Sequence, residues 1–329
     1  MTQTTLSVDI QEFEPSQYWK LVQVYDAIFP ERARTVEEWR FFDSNLDRSK
    51  YHLKRYTCIE RTTGEILGFG EVGHAPWMFH PRKFWTEIWV HPRHQGHGIG
   101  SAIYAKLLDD LKTLDAIAAW AATREDLTRP ITFLENRGFK ERMRGWESKI
   151  NPHHVDASKF EKYSVEASNA GIRITTLAEE VKEDPECYPK LYDLVQTTFR
   201  DVPMPDPPTD TPYEQWLAFE MKNPNLMPEG YMIAKHRDRL VGVSAVWKVQ
   251  NDPDSLYQGL TGVRREFRGK SIAVALKLRV LDFAKKNGYN EIRTFNATVN
   301  EAMLGINMKL GFKQNTGWIT FEKPLEENS

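Results

Sequence analysis

The sequence has few cysteines, no long apolar segment and little net charge, and each shortage excludes a class of protein. Its 329 residues include only Cys58 and Cys187, too few for the disulfide framework of a small secreted domain. The apolar run AIAAWAA, at residues 116–122, is far shorter than the ~20 residues that span a bilayer. A net charge of −2 provides no general attraction for nucleic acid.

The first residues, MTQTTLSVDIQEFEPS, have neither the basic region nor the apolar core of a secretion signal. We therefore expect a soluble, cytoplasmic protein with no nucleic-acid partner and no membrane partner. Apolar residues make up 40% of the chain, and ten Trp, twelve Tyr and seventeen Phe are available for burial. A chain of this length and composition favours two domains, each with its own core.

The stretch EIWVHPRHQGHGIGSAIYAKLL, residues 87–108, combines an apolar strand, three alternating glycines and an amphipathic helix. Gly96, Gly98 and Gly100 let backbone N–H groups turn towards a ligand, because glycine has no Cβ. The start of the helix adds unpaired N–H donors and the positive end of the helix dipole. Together these features predict a site for a phosphate or pyrophosphate.

Two common phosphate loops are excluded by the spacing. The sequence has no G-x-x-x-x-G-K-[ST] motif, so a nucleotide-hydrolase loop is excluded. The glycines run G-x-G-x-G rather than G-x-G-x-x-G, and no βαβ unit with an acidic residue about 20 positions on is evident. Gln95-x-x-Gly98-x-Gly100 after a strand ending Val-x-Pro instead resembles the coenzyme A loop, motif A, of the GNAT acetyltransferase superfamily.

The same signature occurs again 173 positions further along the chain. Gln95 corresponds to Arg268, Gly100 to Ala273, and the Gly-Phe pair ending at Phe139 to the one ending at Phe312. A constant offset over about fifty residues indicates two homologous copies without a net insertion between them.

The resemblance implies an α/β fold of the α+β type, made of two tandem GNAT domains. Each would have a mixed, mostly antiparallel sheet flanked by helices. We place an N-terminal GNAT domain at 1–150, a polar linker at 151–168 and a C-terminal GNAT domain at 169–329. In the first domain the patterns predict helices at 17–30 and about 35–46, and strands at about 55–60, 66–73 and 83–90.

A second GNAT signature is present in the C-terminal half. Asn300-x-x-Met303, followed by Asn307 and Gly311-Phe312, resembles motif B, N-x-x-A/M-x-x-x-Y-x-x-x-G-F. In the family, the main chain near this motif binds the peptide-like pantetheine arm, as an added strand would. Asn300 could bond the pantetheine or cap the following helix, and both roles are compatible.

The tyrosine of motif B, the usual general acid, is missing from both halves. Leu134 stands at its position in the first half and Asn307 in the second. Either coenzyme A leaves as a thiolate assisted by hydrogen bonds, or another residue supplies the proton.

The resemblance implies acetyl-CoA as co-substrate, and transfer of its acetyl group to a primary amine of a small molecule or peptide by direct attack on the thioester. The catalytic candidates are Glu87, on the strand before the first loop, and Asn307. The implied coenzyme A-binding residues of the first half are Val90, Gln95, Gly96, His97, Gly98, Ile99, Gly100 and Ser101. Those of the second half are Val263, Arg268, Gly269, Lys270, Ser271, Ala273, Asn296 and Asn300.

Several alternatives stay open at this point. Glu87 could be a solvated strand residue, and its equivalent in the second half is Leu260, which leaves Asp252 and Asp254 as weaker base candidates. The histidines of the first loop lack the regular spacing of metal ligands, so we expect no metal. They are His91, His94 and His97.

The two halves depart from the family pattern in different ways. The first has an intact loop but Leu127 where the second has Asn300, and the second has Ser271 in place of the middle glycine. Serine is a mild replacement provided that its φ stays negative. We favour the second half as the catalytic one, because it has motif B and an acidic loop.

That loop, FRDVPMPDPPTDTP at residues 199–212, could border the acceptor cleft or be a solvated surface loop. In the first case Asp201, Asp206 and Asp210 would attract a cationic amine. The alternative to an enzyme is a non-catalytic, acyl-CoA-binding regulatory protein with a degenerate GNAT fold. A third possibility keeps the fold and uses a longer acyl donor.

Overall fold

A computed structural model describes residues 7–325 of the chain. These residues form two compact units. The first unit contains the chain up to Thr123, residues 127–142 and the residues from Ile319 onwards, and the second contains residues 124–126 and 143–318. Each unit is an α/β structure in which helices flank a mostly antiparallel sheet, as the resemblance implied.

The first unit begins with one strand and two helices and continues with the strands and helices of motif A. Its elements are β1 (Val8–Glu12), α1 (Tyr18–Ile28), α2 (Val36–Asn45), β2 (Leu53–Glu60), β3 (Ile66–Gly73), β4 (Lys83–Val90), α3 (Ile99–Thr113), β5 (Ala118–Arg124), α4 (Thr128–Glu135) and β6 (Lys140–Ile150), which enters the second unit at Met143. The predicted helices at 17–30 and 35–46 and the three predicted strands are thus confirmed.

The sheet of the first unit has the order β1-β2-β3-β4-β5. Neighbours are antiparallel except β4 and β5, which pair in parallel over Lys83–Trp85 and Ala118–Trp120. The apolar face of α3, with Ile103 and Leu107, packs into a core that also contains Ile319 and Phe321. The C-terminal residues therefore supply part of the hydrophobic core of the first unit.

The second unit repeats the order of elements. They are α5 (Glu161–Asn169), β7 (Ile172–Thr176), α6 (Leu177–Glu183), α7 (Cys187–Phe199), α8 (Tyr213–Trp216), β8 (Leu226–His236), β9 (Arg239–Lys248), β10 (Ser255–Val263), α9 (Ile272–Lys286), β11 (Glu291–Ala297), α10 (Glu301–Leu310) and β12 (Lys313–Pro324), which enters the first unit at Ile319. A π-helical turn, Leu217–Met221, continues α8.

The sheet of the second unit runs β7-β8-β9-β10-β11, with the second part of β6 next to β11. Only β10 and β11 are parallel among these pairs, and Ile150 of β6 lies opposite Ile292 of β11. One core cluster surrounds α9 and includes Ile150, and another includes residues of α6 and α7.

The limits of the two compact units differ from the domain boundaries that the sequence predicts. The strand that ends the predicted N-terminal domain completes the sheet of the second unit, and the last residues belong to the first. The segment 151–168, expected to be a linker without periodicity, contains two short 3-10 turns and most of α5, with Ala167 buried in the core. Within residues 7–325, no helix has the length and apolar character that crossing a membrane requires.

Candidate active site

The first glycine loop joins β4 to α3. Gly96 and Gly98 have φ of +88° and +83°, a left-handed conformation that glycine adopts without strain. Gly98 is the residue that caps α3, and a Cβ built on it would meet no atom within 4 Å. The start of α3, with its unpaired N–H groups, is therefore open to a ligand.

Two guanidinium groups from outside the loop approach it. Nη1 of Arg129, on α4, lies 3.1 Å from the position that a Cβ of Gly96 would occupy. Nη2 of Arg137 donates a hydrogen bond to Oγ of Ser101 at 2.8 Å. The Arg137 guanidinium also lies 3.5 Å from the centroid of the Phe133 ring. Sequence reasoning missed both arginines, because the loop motif does not include α4 or the turn that follows it.

Two of the predicted loop residues join the loop to the strand before it. Nε2 of Gln95 donates to the carbonyl oxygen of Val90 at 3.0 Å, and Nε of Arg268 donates to that of Val263 at the same distance. Val90 and Val263 are themselves buried. The two equivalent side chains thus make the same contact in both halves, where each joins the loop to the end of its strand.

The second loop is met by a carboxylate at the start of α9. Ser271, the residue that caps α9, has a φ of +60°, so the condition under which serine is a mild replacement for glycine, a negative φ, is not met. Because the loop repeats the geometry of the first one, serine here adopts the left-handed conformation that Gly98 adopts there. Its Oγ donates a hydrogen bond to the carboxylate of Glu166, an exposed residue of α5.

A second carboxylate neutralises the cations of the same loop. Asp201 accepts hydrogen bonds from Arg265 and Arg268, and the bond from Arg265 holds the pKa of Asp201 below its usual value. Asp210 forms an ion pair with Arg200. Two of the three aspartates of the acidic loop are therefore already bound to arginines. Two cationic side chains, Arg129 and Arg137, therefore approach the first glycine loop. Two anionic side chains, Glu166 and Asp201, approach the second.

Glu87 lies on β4 and is half-buried. In the antiparallel pair of β3 and β4 it stands directly opposite Glu71. Burial, and then the charge of Glu71, raise the pKa of Glu87 to about 8, while Arg34 lowers it. A carboxyl group with such a pKa can accept a proton from an ammonium group far more readily than an ordinary glutamate.

Aromatic side chains surround the part of the sheet that carries Glu87. The ring of Trp89, two residues along β4 and so on the same face, lies 5.9 Å from Tyr25 and 5.6 Å from Trp39. Arg34 lies over the rings of Tyr25 and Trp39, 5.3 and 5.1 Å from their centroids. Glu87 thus shares its face of the sheet with an aromatic cluster, and burial is the first cause of its raised pKa.

The predicted motif B residues lie in the second unit. Oδ1 of Asn300 accepts a hydrogen bond from the backbone N–H of Met303 at 3.3 Å, so Asn300 does cap α10. Nδ2 of Asn307 donates to Oδ1 of Asn296 at 2.7 Å. Asn307 is buried, and its own Oδ1 has no hydrogen-bond partner among the described residues. Leu134, at the tyrosine position of the first half, packs in the hydrophobic core.

Histidines of the first loop contact protein groups nearby. Nε2 of His94 lies 3.3 Å from Oε1 of Glu65, and Nδ1 of His97 lies 3.3 Å from the carbonyl oxygen of His94. In the part of the chain that the structure describes, no three His, Cys, Asp or Glu side chains are grouped so that they could hold a metal ion.

Comparison with known sequences decides the family. Two segments, residues 18–139 and 188–312, match the acetyltransferase (GNAT) family. The chain belongs to this family. It is an acyltransferase, built from two GNAT domains in tandem. No curated protein sequence matches it.

Solved structures with the same fold include other two-domain members. A tandem GNAT protein from the clavulanic acid biosynthesis pathway superposes with a TM-score of 0.72 at 17% identity, covering 98% of this chain and 100% of that one. A GCN5-related N-acetyltransferase from Sphaerobacter thermophilus gives a TM-score of 0.66 at 18% identity, covering 96% of this chain and 95% of the other. At these identities the likeness establishes the fold.

Proposed function

We propose that the chain is an acetyl-CoA-dependent N-acetyltransferase acting on a primary amine of a small molecule or peptide, and that its N-terminal half carries the reaction. This choice differs from the sequence analysis, which favoured the C-terminal half, and one observation carries it. Arg129 and Arg137 approach the first glycine loop, whereas Glu166 and Asp201 approach the second. The first arrangement attracts a pyrophosphate. In the second, Glu166 is bonded to the residue that caps the helix and Asp201 is paired with the arginines of the loop, so the attraction is weaker.

The residues of the first loop fit the phosphate end of acetyl-CoA. The loop from Gly96 to Ser101 would hold the pyrophosphate on backbone N–H groups, and Arg129 and Arg137 would neutralise its charge. The open space at Gly98 is the observation that favours a bound group there. When bound, acetyl-CoA supplies an acetyl thioester that a neutral amine can attack directly.

Glu87 would act as the general base. An amine reaches the site mostly as an ammonium ion, and Glu87 would remove its proton so that the nitrogen can form the new N–C bond as the C–S bond breaks. Leu134 stands at the position of the usual general acid and cannot donate a proton. We therefore propose that coenzyme A leaves as a thiolate and is protonated afterwards by solvent.

Calorimetric titration with acetyl-CoA tests the proposal. We expect the wild-type protein to bind one acetyl-CoA per chain, Gly98→Trp to abolish binding and Ser271→Trp to leave it intact. The two variants are matched, because both place a large side chain at a left-handed residue that caps a helix. No binding by the wild type would contradict the donor assignment, and loss of binding in Ser271→Trp alone would move the site to the second half.

Turnover is tested separately, by release of coenzyme A with a panel of primary amines. Acetyl transfer should depend on the amine and stop in Gly98→Trp. Comparison of acetyl-, propionyl- and myristoyl-CoA on the wild type examines the acyl preference. Binding without turnover for every amine in the panel would favour the regulatory alternative.

A further inference from the structure

Three charged side chains connect α2 with the strand next to Glu87. Arg55 of β2 is 6% exposed, and its Nη1 donates to Oδ2 of Asp43 at 2.7 Å. Its Nε donates to Oε2 of Glu71 at 2.7 Å. Tyr18 donates its hydroxyl proton to the same oxygen of Asp43 at 2.5 Å. The carboxylate of Glu71 is thus anchored at the end of a chain of buried, charge-assisted hydrogen bonds.

The pairing of β3 with β4 brings this anchored carboxylate to Glu87. Glu71 and Glu87 are partners in the register of the two strands. Directly opposite residues project from the same face of a sheet, with Cβ atoms about 4.5–5.5 Å apart. Like charges at such positions destabilise each other. Arg55 is engaged by two acids at once, so it offsets the charge of Glu71 only in part.

We infer that Glu71 is a positioning residue for Glu87: anchored by Arg55, its carboxylate faces Glu87 across the strand pair and favours the protonated form of Glu87 in the free enzyme. The inference rests on the proposed role of Glu87 as the base. It adds that the basicity of Glu87 is not due to burial alone. Without the negative charge of Glu71, Glu87 would be a weaker base for an ammonium proton.

Other ionisable groups among the described residues also act on Glu87. The charge of the exposed Arg34 lowers the pKa of Glu87 and so favours its ionised form. Helix α1 contributes Tyr25 to the same aromatic cluster. The part of β5 within the first unit, Ala118–Thr123, has no ionisable side chain. The balance at Glu87 is therefore set by burial, Glu71 and Arg34.

The inference is tested by measuring the titration of Glu87 directly. Protein labelled with ¹³C at the glutamate carboxyl carbon is followed by NMR from pH 4 to 10 without acetyl-CoA or amine, and the signal absent from Glu87→Gln assigns Glu87. In Glu71→Gln we expect its midpoint to fall by about 1 pH unit or more, because removal of a like charge at this distance lowers the pKa. Glu71→Thr, which suits a strand, gives the same loss of charge with a different side chain.

Two controls separate this effect from general disturbance. Glu12→Gln removes an exposed carboxylate of β1 that pairs with Lys54, and Glu71→Asp keeps the charge. Both should leave the midpoint near its wild-type value. An unchanged or raised midpoint in folded Glu71→Gln and Glu71→Thr would overturn the inference. Since no turnover is needed, this outcome is independent of the proposed role of Glu87 as the base, which fails instead if Glu87→Gln retains full activity.

Discussion

Glu87 is a residue whose chemistry depends on its neighbours rather than on its type. Its place on the strand before the glycine loop could be read from the sequence, but the residue opposite it could not. Strand register is set by contacts between distant parts of the chain, and a shift of one position would turn Glu71 to the other face. In that register Glu87, within the same sequence TEIW, would be an ordinary solvated glutamate.

The catalytic role proposed for Glu87 predicts both a loss of rate and a pH dependence. Glu87→Gln should lower kcat/KM for a primary amine by about 10²- to 10⁴-fold, the usual contribution of a general base. Because burial and Glu71 raise the pKa of Glu87 to about 8, kcat/KM of the wild type should rise with pH up to about 8. Initial rates of coenzyme A release from pH 6 to 9 provide the measurement. Unchanged affinity for acetyl-CoA in the variant is the control, and a flat pH profile would contradict the prediction.

Lys277, on α9, is a buried ionisable residue. It is 2% exposed, and its ammonium group donates to Oε1 of Gln258. Burial lowers the pKa of Lys277 to about 7. Between about pH 7 and the ordinary lysine value near 10.4, the unfolded chain binds a proton that the folded chain does not. Stability from this residue therefore increases as the pH rises through that window, and is lost as the pH falls.

The corresponding prediction concerns Lys277→Met, a replacement of similar length. The variant should gain stability relative to the wild type most strongly at pH 7 and below, and the difference should shrink by up to about 1.4 kcal/mol per pH unit above pH 7. Urea unfolding at pH 6, 7.5 and 9 measures it. The lost hydrogen bond to Gln258 adds only an offset that is independent of pH. A difference that stays constant across the three pH values would show that Lys277 is not neutral in the folded state.

The two glycine loops are elements with a similar backbone and different charged neighbours. Both contain left-handed residues at equivalent positions, and both are joined to their strands by an equivalent side chain. The loops differ in the charged side chains that the surrounding helices and loops place next to them.

Charge reversal at the loops tests this contrast. Arg129→Glu and Arg137→Glu should each weaken acetyl-CoA binding by at least about 10-fold, since each replaces an attractive charge next to the phosphates by a repulsive one. The matched variant in the second loop, Lys270→Glu, should leave the affinity unchanged. Calorimetry at low and at moderate ionic strength measures the effect, which should shrink as salt screens it. Equal losses in all three variants would indicate that both loops bind the donor.

The whole molecule differs from a simple repeat in the ends of its two units. The sequence predicts an N-terminal domain at 1–150 and a C-terminal domain at 169–329. In the structure the first unit includes residues 319–325, whose Ile319 and Phe321 lie in its core, and residues 143–150 complete the second. Lys323 and Leu325 also bond Tyr104 and Ile117 of the first unit. Hydrophobic repeats specify which residues form strands, but not which sheet the strands join.

This arrangement predicts that a C-terminal residue stabilises the N-terminal fold. Phe321→Ala should cost about 3–5 kcal/mol, the usual effect of removing a buried phenyl group, and the loss should fall on the first unit. Phe312→Ala, at a buried position of the second unit, is the matched control. Hydrogen exchange read by mass spectrometry should show faster exchange in β5 for Phe321→Ala and in α9 for Phe312→Ala. Faster exchange in α9 for Phe321→Ala, and in β5 for Phe312→Ala, would contradict the placement of Phe321 in the core of the first unit.

The sequence alone determined the family, the duplication, most helices and strands, and the position of both glycine loops. These features depend on local properties: periodicity, the need for a residue without a Cβ, and the start of a helix. Only the tertiary structure decided which charges surround each loop and which residue faces Glu87. Ser271 and Glu166 are 105 positions apart, and Arg268 and Asp201 are 67 apart, yet each pair is in contact. Their meeting depends on packing and register, which arise from the fold as a whole and are not contained in any single stretch of the chain.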